Sequence, residues 1–255
     1  MKIIAVIPAR MGSSRFPGKP MVKIHGVPMI GHCYFRTRMC NDLFETYVAT
    51  CDEEIYDYIN SIGGNAIMTA NTHERATDRA AEAMLKVEES LGTKVDIVVM
   101  VQGDEPMVTP KMISESLLPF LNNEPVNIVN LMAHIKTVEE FEDPNEVKVV
   151  VDNNSDAIYF SREPIPSRKK YFDKVPMLKQ VCIIPFKRDY LLKFNETPET
   201  ELERIESVDM MRVIETGEKI KMIMTQSKSL SVDTEEDRKN VEQLMEGDEL
   251  MHDYT

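Results

Sequence analysis

The sequence KIIAVIPARMGSSRFPGKP (residues 2–20) joins an apolar segment directly to a basic loop. Its first part, residues 2–9, is a nearly continuous apolar run rich in β-branched residues, which is typical of a strand buried on both faces of a parallel sheet. Met29 to Met39 then shows a helical pattern, and Phe44 to Thr50 shows a second strand pattern. This strand–helix–strand order predicts an α/β fold with a mostly parallel central sheet.

The alternation of helix and strand patterns continues along the chain. Val95–Val101 is the most apolar strand pattern and is expected to be central in the sheet. It ends in QGDEP, residues 102–106, and open α/β sheets bind ligands at the carboxyl ends of their strands. Helices are also predicted at 52–64, with Asp52 as N-cap, and at 77–91, 187–194 and 203–216, and strands at 65–69, 127–134, 146–151 and 220–225.

Composition limits both the architecture and the partners. The 255 residues, without internal repeats, predict one α/β domain spanning 1–255, or one domain with a smaller lobe. The 30 Lys and Arg residues against 43 Asp and Glu residues give a net charge of −13, which argues against nucleic acid as a partner. Residues 164–176 are predicted to form a surface loop or lid, and the tail from Glu246 a solvated acidic segment.

The cysteines and the apolar segments indicate the cellular compartment. No CxxC pair and no Cys/His ligand spacing occurs among Cys33, Cys40, Cys51 and Cys182, which favours reduced thiols. No apolar run is long enough to span a bilayer, and no charged leader precedes the first strand. We therefore predict a cytoplasmic protein without a membrane partner. The five histidines lack metal-ligand spacing and are interpreted as surface or packed residues.

The basic loop between Pro8 and Pro20 is the first candidate binding site. Its small residues allow a ligand to approach the backbone, and its cations surround the same short segment, which together fit a triphosphate. The loop matches neither GxxxxGK[ST] nor GxGxxG, so a P-loop or a dinucleotide site loses its main support. A solvated basic turn is the alternative. The small residues are Ala9, Gly12, Ser13 and Ser14, and the cations are Arg10, Arg15 and Lys19.

Two aspartates are candidate metal ligands. Asp104 follows the most apolar strand, and Asp233 follows the last predicted strand in the motif SVDT. Mg²⁺ is usually held by one or two carboxylates together with phosphate oxygens and waters, so two aspartates from separate strands are sufficient. Each aspartate alone is more typical of a turn or a helix cap, and residues 233–236 are a plausible helix start. Only their combination with the basic loop favours a metal.

Seven short motifs occur in a recognisable order: PARMGSSRFPGKP, VATCDEEI, the TDR of HERATDR, VQGDEP, DPNEVKVV, YFSR and SVDT. In this order they resemble the 3-deoxy-manno-octulosonate cytidylyltransferase family, also called the CMP-Kdo synthetases. The resemblance extends over nearly the whole chain and is most specific in the opening loop and in QGDEP. It implies a Rossmann-like mononucleotide-binding nucleotidyltransferase fold and a homodimer, with acceptor-pocket, lid and dimerisation elements at about 130–215.

The resemblance also implies a reaction and its residues. CMP would pass from CTP to an acidic acceptor, most like Kdo, with release of pyrophosphate and with Mg²⁺ as cofactor, for which Mn²⁺ could substitute. The product would serve lipopolysaccharide or capsule biosynthesis. Arg15, Lys19 and Asp104 would be catalytic, and Asp104 and Asp233 would bind the metal. The implied nucleotide-binding residues are Ala9, Arg10, Gly12, Ser13, Ser14, Arg15, Lys19, Arg75, Arg79 and Gln102, and the implied acceptor-binding residues are Gln102, Arg162, Gln180, Ile184, Glu206 and Asp209.

The chain departs from the family pattern at several of these positions. Arg75-Ala76 stands where the family usually has Ser-Gly, while Gln180 and Ile184 stand where it has a His and a Tyr that contact the sugar acid. Asp209-Met210 replaces a Glu-Gln pair. Because a site loses affinity when ligand hydroxyls are left unpaired, these changes predict discrimination against Kdo in favour of another anionic acceptor. The alternatives are a cytidylyltransferase for a phosphonate or another sugar acid, and a catalytically silent nucleotide-binding regulator.

Overall fold

The computed structural model describes residues 1–12, 16–170 and 175–255. These residues form two compact units. The first unit comprises Met1–Ser114, Phe186–Asn195 and Lys228–Thr255, and the second comprises Glu115–Pro185 and Glu196–Ser227. Across the three described ranges, no helix is both long and apolar enough to cross a membrane.

Strands and helices alternate through most of the chain. The strands are β1 Ile3–Ala9, β2 Lys23–Ile24, β3 Val27–Pro28, β4 Glu45–Thr50, β5 Ala66–Met68, β6 Ile97–Val101, β7 Val129–His134, β8 Lys148–Val151, β9 Ala157–Ser161, β10 Leu178–Val181, β11 Ile183–Lys187 and β12 Lys221–Met224. The helices are α1 Met29–Arg38, α2 Glu53–Ser61, α3 Ala76–Leu91, α4 Pro110–Leu121, α5 Val138–Glu142, α6 Arg188–Glu196, α7 Glu201–Glu206, α8 Met211–Glu215 and α9 Glu235–Leu244.

One sheet has the strand order β11-β6-β1-β4-β5, and its strands belong to the first unit except for the first three residues of β11. Strand β1 pairs in parallel with β4 and β6, and β4 pairs in parallel with β5, so the predicted parallel sheet is confirmed. Every residue of β1 and β6 is buried, as expected for strands with apolar neighbours on both faces. The central strand is β1 rather than β6, which lies between β1 and β11.

The second unit contains a mixed sheet with the order β12-β7-β10-β8-β9. Strand β7 is parallel to β12 and antiparallel to β10, and β8 is antiparallel to β9. The strands predicted at 127–134, 146–151 and 220–225 are therefore present, but they belong to this sheet. The sequence did not predict β9 and β10, because such short segments acquire their pattern only from neighbouring strands.

The single helix predicted at 203–216 is wrong. Helix α7 ends at Glu206 because Ser207 adopts a left-handed conformation, with φ of 53°, and donates its backbone N–H to Glu203. Helix α8 then begins at Met211. The buried Arg212 guanidinium donates to the Glu203 carboxylate over 2.7 and 2.6 Å, which fastens α8 to α7. The apolar spacing continues through the break, so it gave no sign of the turn.

The tail after Glu246 is not a solvated segment. Glu249–Asp253 forms a short 3₁₀ helix, and the Tyr254 ring stacks on Phe35 with ring centroids 5.0 Å apart. The Tyr254 hydroxyl lies 2.7 Å from His32 Nδ1 and accepts from Arg36 Nε over 3.1 Å. Both partners lie on α1 and are buried. The tail is therefore hydrogen-bonded to α1, which its acidic composition did not indicate.

Candidate active site

A cavity of about 490 Å³ lies in the first unit where β1 and β6 end. Its wall includes Asp104 from the turn after β6, Lys19 from the loop after β1, and Asp233, which precedes α9. Nine residues proposed from the sequence line it: Ala9, Arg10, Gly12, Lys19, Arg75, Arg79, Gln102, Asp104 and Asp233. Ser13, Ser14 and Arg15 lie outside the described residues, so their roles remain predictions.

Gly103 allows the ends of β1 and β6 to lie against each other. A Cβ at this position would be 2.9 Å from the carbonyl oxygen of Pro8 and 3.4 Å from the Ala9 side chain. The first distance is shorter than any normal contact and involves rigid backbone, so only glycine fits without a shift of the chain. The close approach brings Asp104 next to the loop that begins at Arg10.

A three-residue charge cluster lines the cavity. The Lys19 ammonium donates to Asp104 Oδ2 over 2.8 Å and to Asp233 Oδ1 over 3.0 Å. All three side chains are largely buried, with exposed fractions of 13, 23 and 18 % respectively. Burial lowers the pKa of Lys19, but the two carboxylates outweigh that effect and raise the pKa above its ordinary value. Lys19 is therefore a cation at neutral pH.

Asp233 directly precedes the N-cap residue of α9 and is not itself the cap. Thr234 is the N-cap of α9, because its hydroxyl accepts from the Asp237 backbone N–H over 3.1 Å. The Asp237 carboxylate completes the capping box and also accepts from the Asp233 N–H over 3.0 Å. The backbone N–H of Val232 donates to the Asp104 backbone carbonyl over 3.0 Å, which brings the two aspartates together. The Asp233 side chain is thus directed to Lys19 rather than used as the cap.

The donor set fits a small divalent cation that also binds phosphate. No group of three or more His, Cys, Asp or Glu side chains suited to a metal occurs in the described part of the chain. Asp104 and Asp233 supply carboxylate oxygens to one point, as their shared contact with Lys19 demonstrates. Mg²⁺ commonly takes one or two carboxylates and completes its shell with waters and substrate phosphates. These two residues are sufficient for that mode of binding.

The start of α3 and the segment before it also line the cavity. Arg79 is 3 % exposed, and its Nη1 donates to Thr69 Oγ1 over 2.5 Å and to the Ala70 carbonyl over 3.4 Å. Arg75 is the residue immediately before α3 and lines the cavity together with Ala76. Arg75 and Ala76, which differ from the family pattern, are therefore part of the cavity wall.

His73 and Glu74 also line the cavity and were missed from the sequence. The His73 ring is hydrogen-bonded to Glu82 on α3, whose carboxylate also accepts from Lys86 and from the Ala70 backbone N–H. Burial raises the pKa of Glu82, but these partners outweigh it and lower that pKa to about 2. The spacing of the histidines gave no reason to single out His73, but its place in the same HERATDR segment as Arg75 and Arg79 was a signal for the site.

Five residues proposed for the acceptor lie in the second unit: Arg162, Gln180, Ile184, Glu206 and Asp209. Arg162 and Glu206 are adjacent, since the Arg162 guanidinium donates to the Glu206 carbonyl over 2.9 Å and its backbone N–H donates to the Glu206 carboxylate over 3.0 Å. The guanidinium also donates to the carbonyls of Pro144 and Ser207. The role of this pair in acceptor binding remains a prediction.

The other acceptor positions have different surroundings. Gln180 on β10 donates its side-chain N–H to Asn130 Oδ1 on β7 over 2.6 Å. Ile184 on β11 is 1 % exposed and is part of the apolar core. Asp209 lies between α7 and α8, where the predicted helix is interrupted. A buried Ile184 can influence a ligand only through packing, and a Tyr ring of the family pattern would fit at this position only if the neighbouring side chains moved.

Comparison with known proteins places the chain among nucleotidyltransferases. A family model described as cytidylyltransferase matches residues 4–220. A 3-deoxy-manno-octulosonate cytidylyltransferase from Trichlorobacter lovleyi is 40% identical over 255 residues, covering 96% of this chain and 99% of the relative. One from Escherichia coli is 40% identical over 233 residues, covering 91% and 92%. A solved structure of CMP:2-keto-3-deoxy-manno-octonic acid synthetase complexed with CTP matches with a TM-score of 0.88 and 38% identity, covering 97% of this chain and 99% of that one.

Proposed function

The chain belongs to the cytidylyltransferase family, and we propose that it transfers CMP from CTP to 3-deoxy-manno-octulosonate (Kdo) and releases pyrophosphate. The observation that carries this proposal is the similarity, at about 40% identity over nearly the full length, to enzymes named for that reaction. The cavity supports it, because cations and carboxylates converge where two buried parallel strands end. An activated sugar acid of this kind would serve lipopolysaccharide or capsule biosynthesis.

In the proposed reaction, an acceptor hydroxyl oxygen attacks the α-phosphorus of CTP, and the O–H bond breaks as the hydroxyl proton is released to solvent. A new P–O bond forms to the acceptor, the bond between the α-phosphorus and the bridging oxygen breaks, and pyrophosphate leaves with that electron pair. Arg10 and Lys19 would offset the negative charge that develops on the phosphates, and Arg15 is proposed to assist them. The chain would therefore contribute positioning and electrostatic stabilisation rather than a covalent intermediate.

Asp104 and Asp233 are proposed to hold Mg²⁺, for which Mn²⁺ could substitute, together with phosphate oxygens. When bound, the cation supplies charge stabilisation at the phosphate oxygens. Lys19 would exchange its contacts with the two aspartates for contacts with the triphosphate. The nucleotide side of the cavity is assigned to Arg75, Arg79 and Gln102, where the Arg75 side chain adds a cation to the wall.

A second candidate reaction follows from the residues at the acceptor positions. Gln180 and Ile184 replace a His and a Tyr of the family pattern, and the Gln180 amide is bonded to Asn130. Each hydroxyl of a buried ligand left unpaired costs about 1–3 kcal/mol, which corresponds to one or two orders of magnitude in substrate preference. These positions favour a phosphonate or another sugar acid with fewer hydroxyls than Kdo.

A pyrophosphate-release assay with CTP, Mg²⁺ and a panel of acidic acceptors tests the reaction and its acceptor together. We expect CTP-dependent release with Kdo, at a kcat/KM on the order of 10⁴ M⁻¹s⁻¹ or more. A much lower value for Kdo than for a phosphonate or another sugar acid would support the second candidate. Nucleotide binding without pyrophosphate release from any acceptor would contradict catalysis and indicate a silent regulator.

CTP is expected to stabilise the protein against thermal unfolding only when Mg²⁺ or Mn²⁺ is present. The cavity places two carboxylates beside Lys19, so the cations of the wall alone do not offset the charge of a triphosphate. A ligand that binds the folded state but not the unfolded state raises the unfolding temperature by an amount that grows with its concentration relative to its Kd, so a thermal shift measures this binding. Equal stabilisation in the presence of excess chelator would remove the metal from the mechanism.

We propose a homodimer and a cytoplasmic location, as the family resemblance and the sequence predict. Light scattering coupled to size-exclusion chromatography would measure the first, and fractionation of the native host would measure the second. A monomer at all concentrations would contradict the homodimer without affecting the assignment to the family.

A further inference from the structure

Asp52 occupies the N-cap position of α2 but does not cap the helix. Its backbone is extended, with φ of −110° and ψ of 123°, as is usual for an N-cap residue, yet its side chain makes no cap hydrogen bond. The carboxylate instead accepts from the backbone N–H of Met11, over 2.8 Å. The thiol of Cys51 also reaches the same carboxylate oxygen, at 3.7 Å. Asp52 thus has the position of a helix cap, but its carboxylate binds the backbone of a residue 41 positions earlier in the chain.

Met11 is the residue at which the loop after β1 closes. Its N–H is held by Asp52, and its carbonyl accepts from the backbone N–H of Gly18 over 3.3 Å. Gly18 has a positive φ of 72° and directly precedes Lys19. Met11 itself lies between Arg10 and Gly12, both of which line the cavity. The backbone of Met11 therefore holds the start of the cation-bearing loop, next to Arg10, against its end, next to Lys19.

We propose that Asp52 is a positioning residue for the nucleotide site, acting through Met11 to fix the loop that carries Arg10 and Lys19. A carboxylate that accepts a backbone N–H makes a charge-assisted hydrogen bond, which is stronger than a bond between neutral groups. Asp52 sits on the turn between β4 and α2, and β4 pairs with β1 along its whole length, so the anchor is rigid. This inference rests on the proposed binding of CTP in the cavity.

Substitution of Asp52 by Ser distinguishes the proposed role of Asp52 in holding Met11 from a role in capping α2. Serine is as good an N-cap residue as aspartate, so α2 keeps its start, but its shorter side chain does not reach the Met11 N–H. We expect Asp52→Ser to raise the KM for CTP at least about tenfold with an unchanged unfolding temperature. Asp52→Asn retains an acceptor oxygen of the same reach, and we expect it to restore a KM within about threefold of the unmodified protein.

The matched control is Asp96→Ser, because Asp96 directly precedes β6 and bonds to the backbone beside the opposite end of β1. The Asp96 carboxylate accepts from the Lys2 backbone N–H over 2.5 Å, which is the same kind of bond but lies next to the start of β1, away from the cavity. We expect no change of KM in this variant. A KM for CTP that rises equally in both variants would attribute the effect to general loosening of β1 and overturn the proposal.

Hydrogen exchange of the Met11 amide tests the anchor without relying on activity. We expect the amide to exchange at least tenfold faster in Asp52→Ser than in the unmodified protein or in Asp52→Asn. Unchanged exchange in Asp52→Ser, or an Asp52→Asn variant as impaired as Asp52→Ser, would overturn the proposal. If the unmodified protein showed no CTP-dependent reaction, the proposed function would fail, while the exchange result would still decide whether Asp52 anchors the loop.

Discussion

Asp104→Asn and Asp233→Asn are each expected to lower turnover by at least about 10²-fold while the fold stays intact. This is the scale observed when a group that stabilises developing charge is removed from an active site. Both aspartates contact Lys19 in a largely buried cluster, so their charges act at short range and with little screening by water. Asparagine has the same shape and still accepts from Lys19, which isolates the loss of charge from any loss of packing.

Steady-state turnover and thermal unfolding should be measured on the same preparations. Asp57→Asn is the matched control, because Asp57 lies on the exposed face of α2 in the same unit and the substitution removes the same charge. We expect this control to keep its turnover. Near-normal turnover in Asp104→Asn or Asp233→Asn would show that the substituted aspartate is not part of the metal site and has only a structural role in its turn.

The fold of the first unit could be predicted because its signals are local. Strands β1 and β6 are buried on both faces, so their sequences are nearly continuous apolar runs that need no knowledge of their neighbours. The turn after β6 and the loop after β1 then had to meet at one edge of a parallel sheet. That geometry brought Lys19 and Asp104 into one cavity, as their motifs indicated.

The remaining errors concern contacts between residues far apart in sequence. Asp52 has the sequence context of an N-cap, and only the folded chain shows that its carboxylate is used by Met11. Likewise, the acidic tail gave no sign that Tyr254 would bond to two buried side chains of α1. The break at Ser207 depends on a left-handed residue within a continuous helical pattern. Composition and periodicity describe one segment at a time and do not contain these pairings.

Lys19→Met is expected to lower kcat/KM for CTP at least about 10²-fold and to increase the affinity of the free protein for Mn²⁺ at least about tenfold. The first effect follows from the loss of a cation proposed to stabilise the triphosphate. The second has a different cause. Lys19 now lies 2.8 and 3.0 Å from the two carboxylates and offsets part of their charge. Without it the aspartates repel each other, and a divalent cation between them would relieve that repulsion.

Electron paramagnetic resonance of Mn²⁺, titrated with protein in the absence of CTP, measures the second effect independently of turnover. Lys19→Arg keeps the positive charge and should bind Mn²⁺ as weakly as the unmodified protein. The matched control is Lys23→Met, because Lys23 is an exposed lysine of the same unit. Adding Asp104→Asn to Lys19→Met should abolish the gain, because one of the two carboxylates is then neutral. A gain that persists in the double variant would place the Mn²⁺ elsewhere, and no gain in Lys19→Met would show that Lys19 and the cation do not compete for the two aspartates.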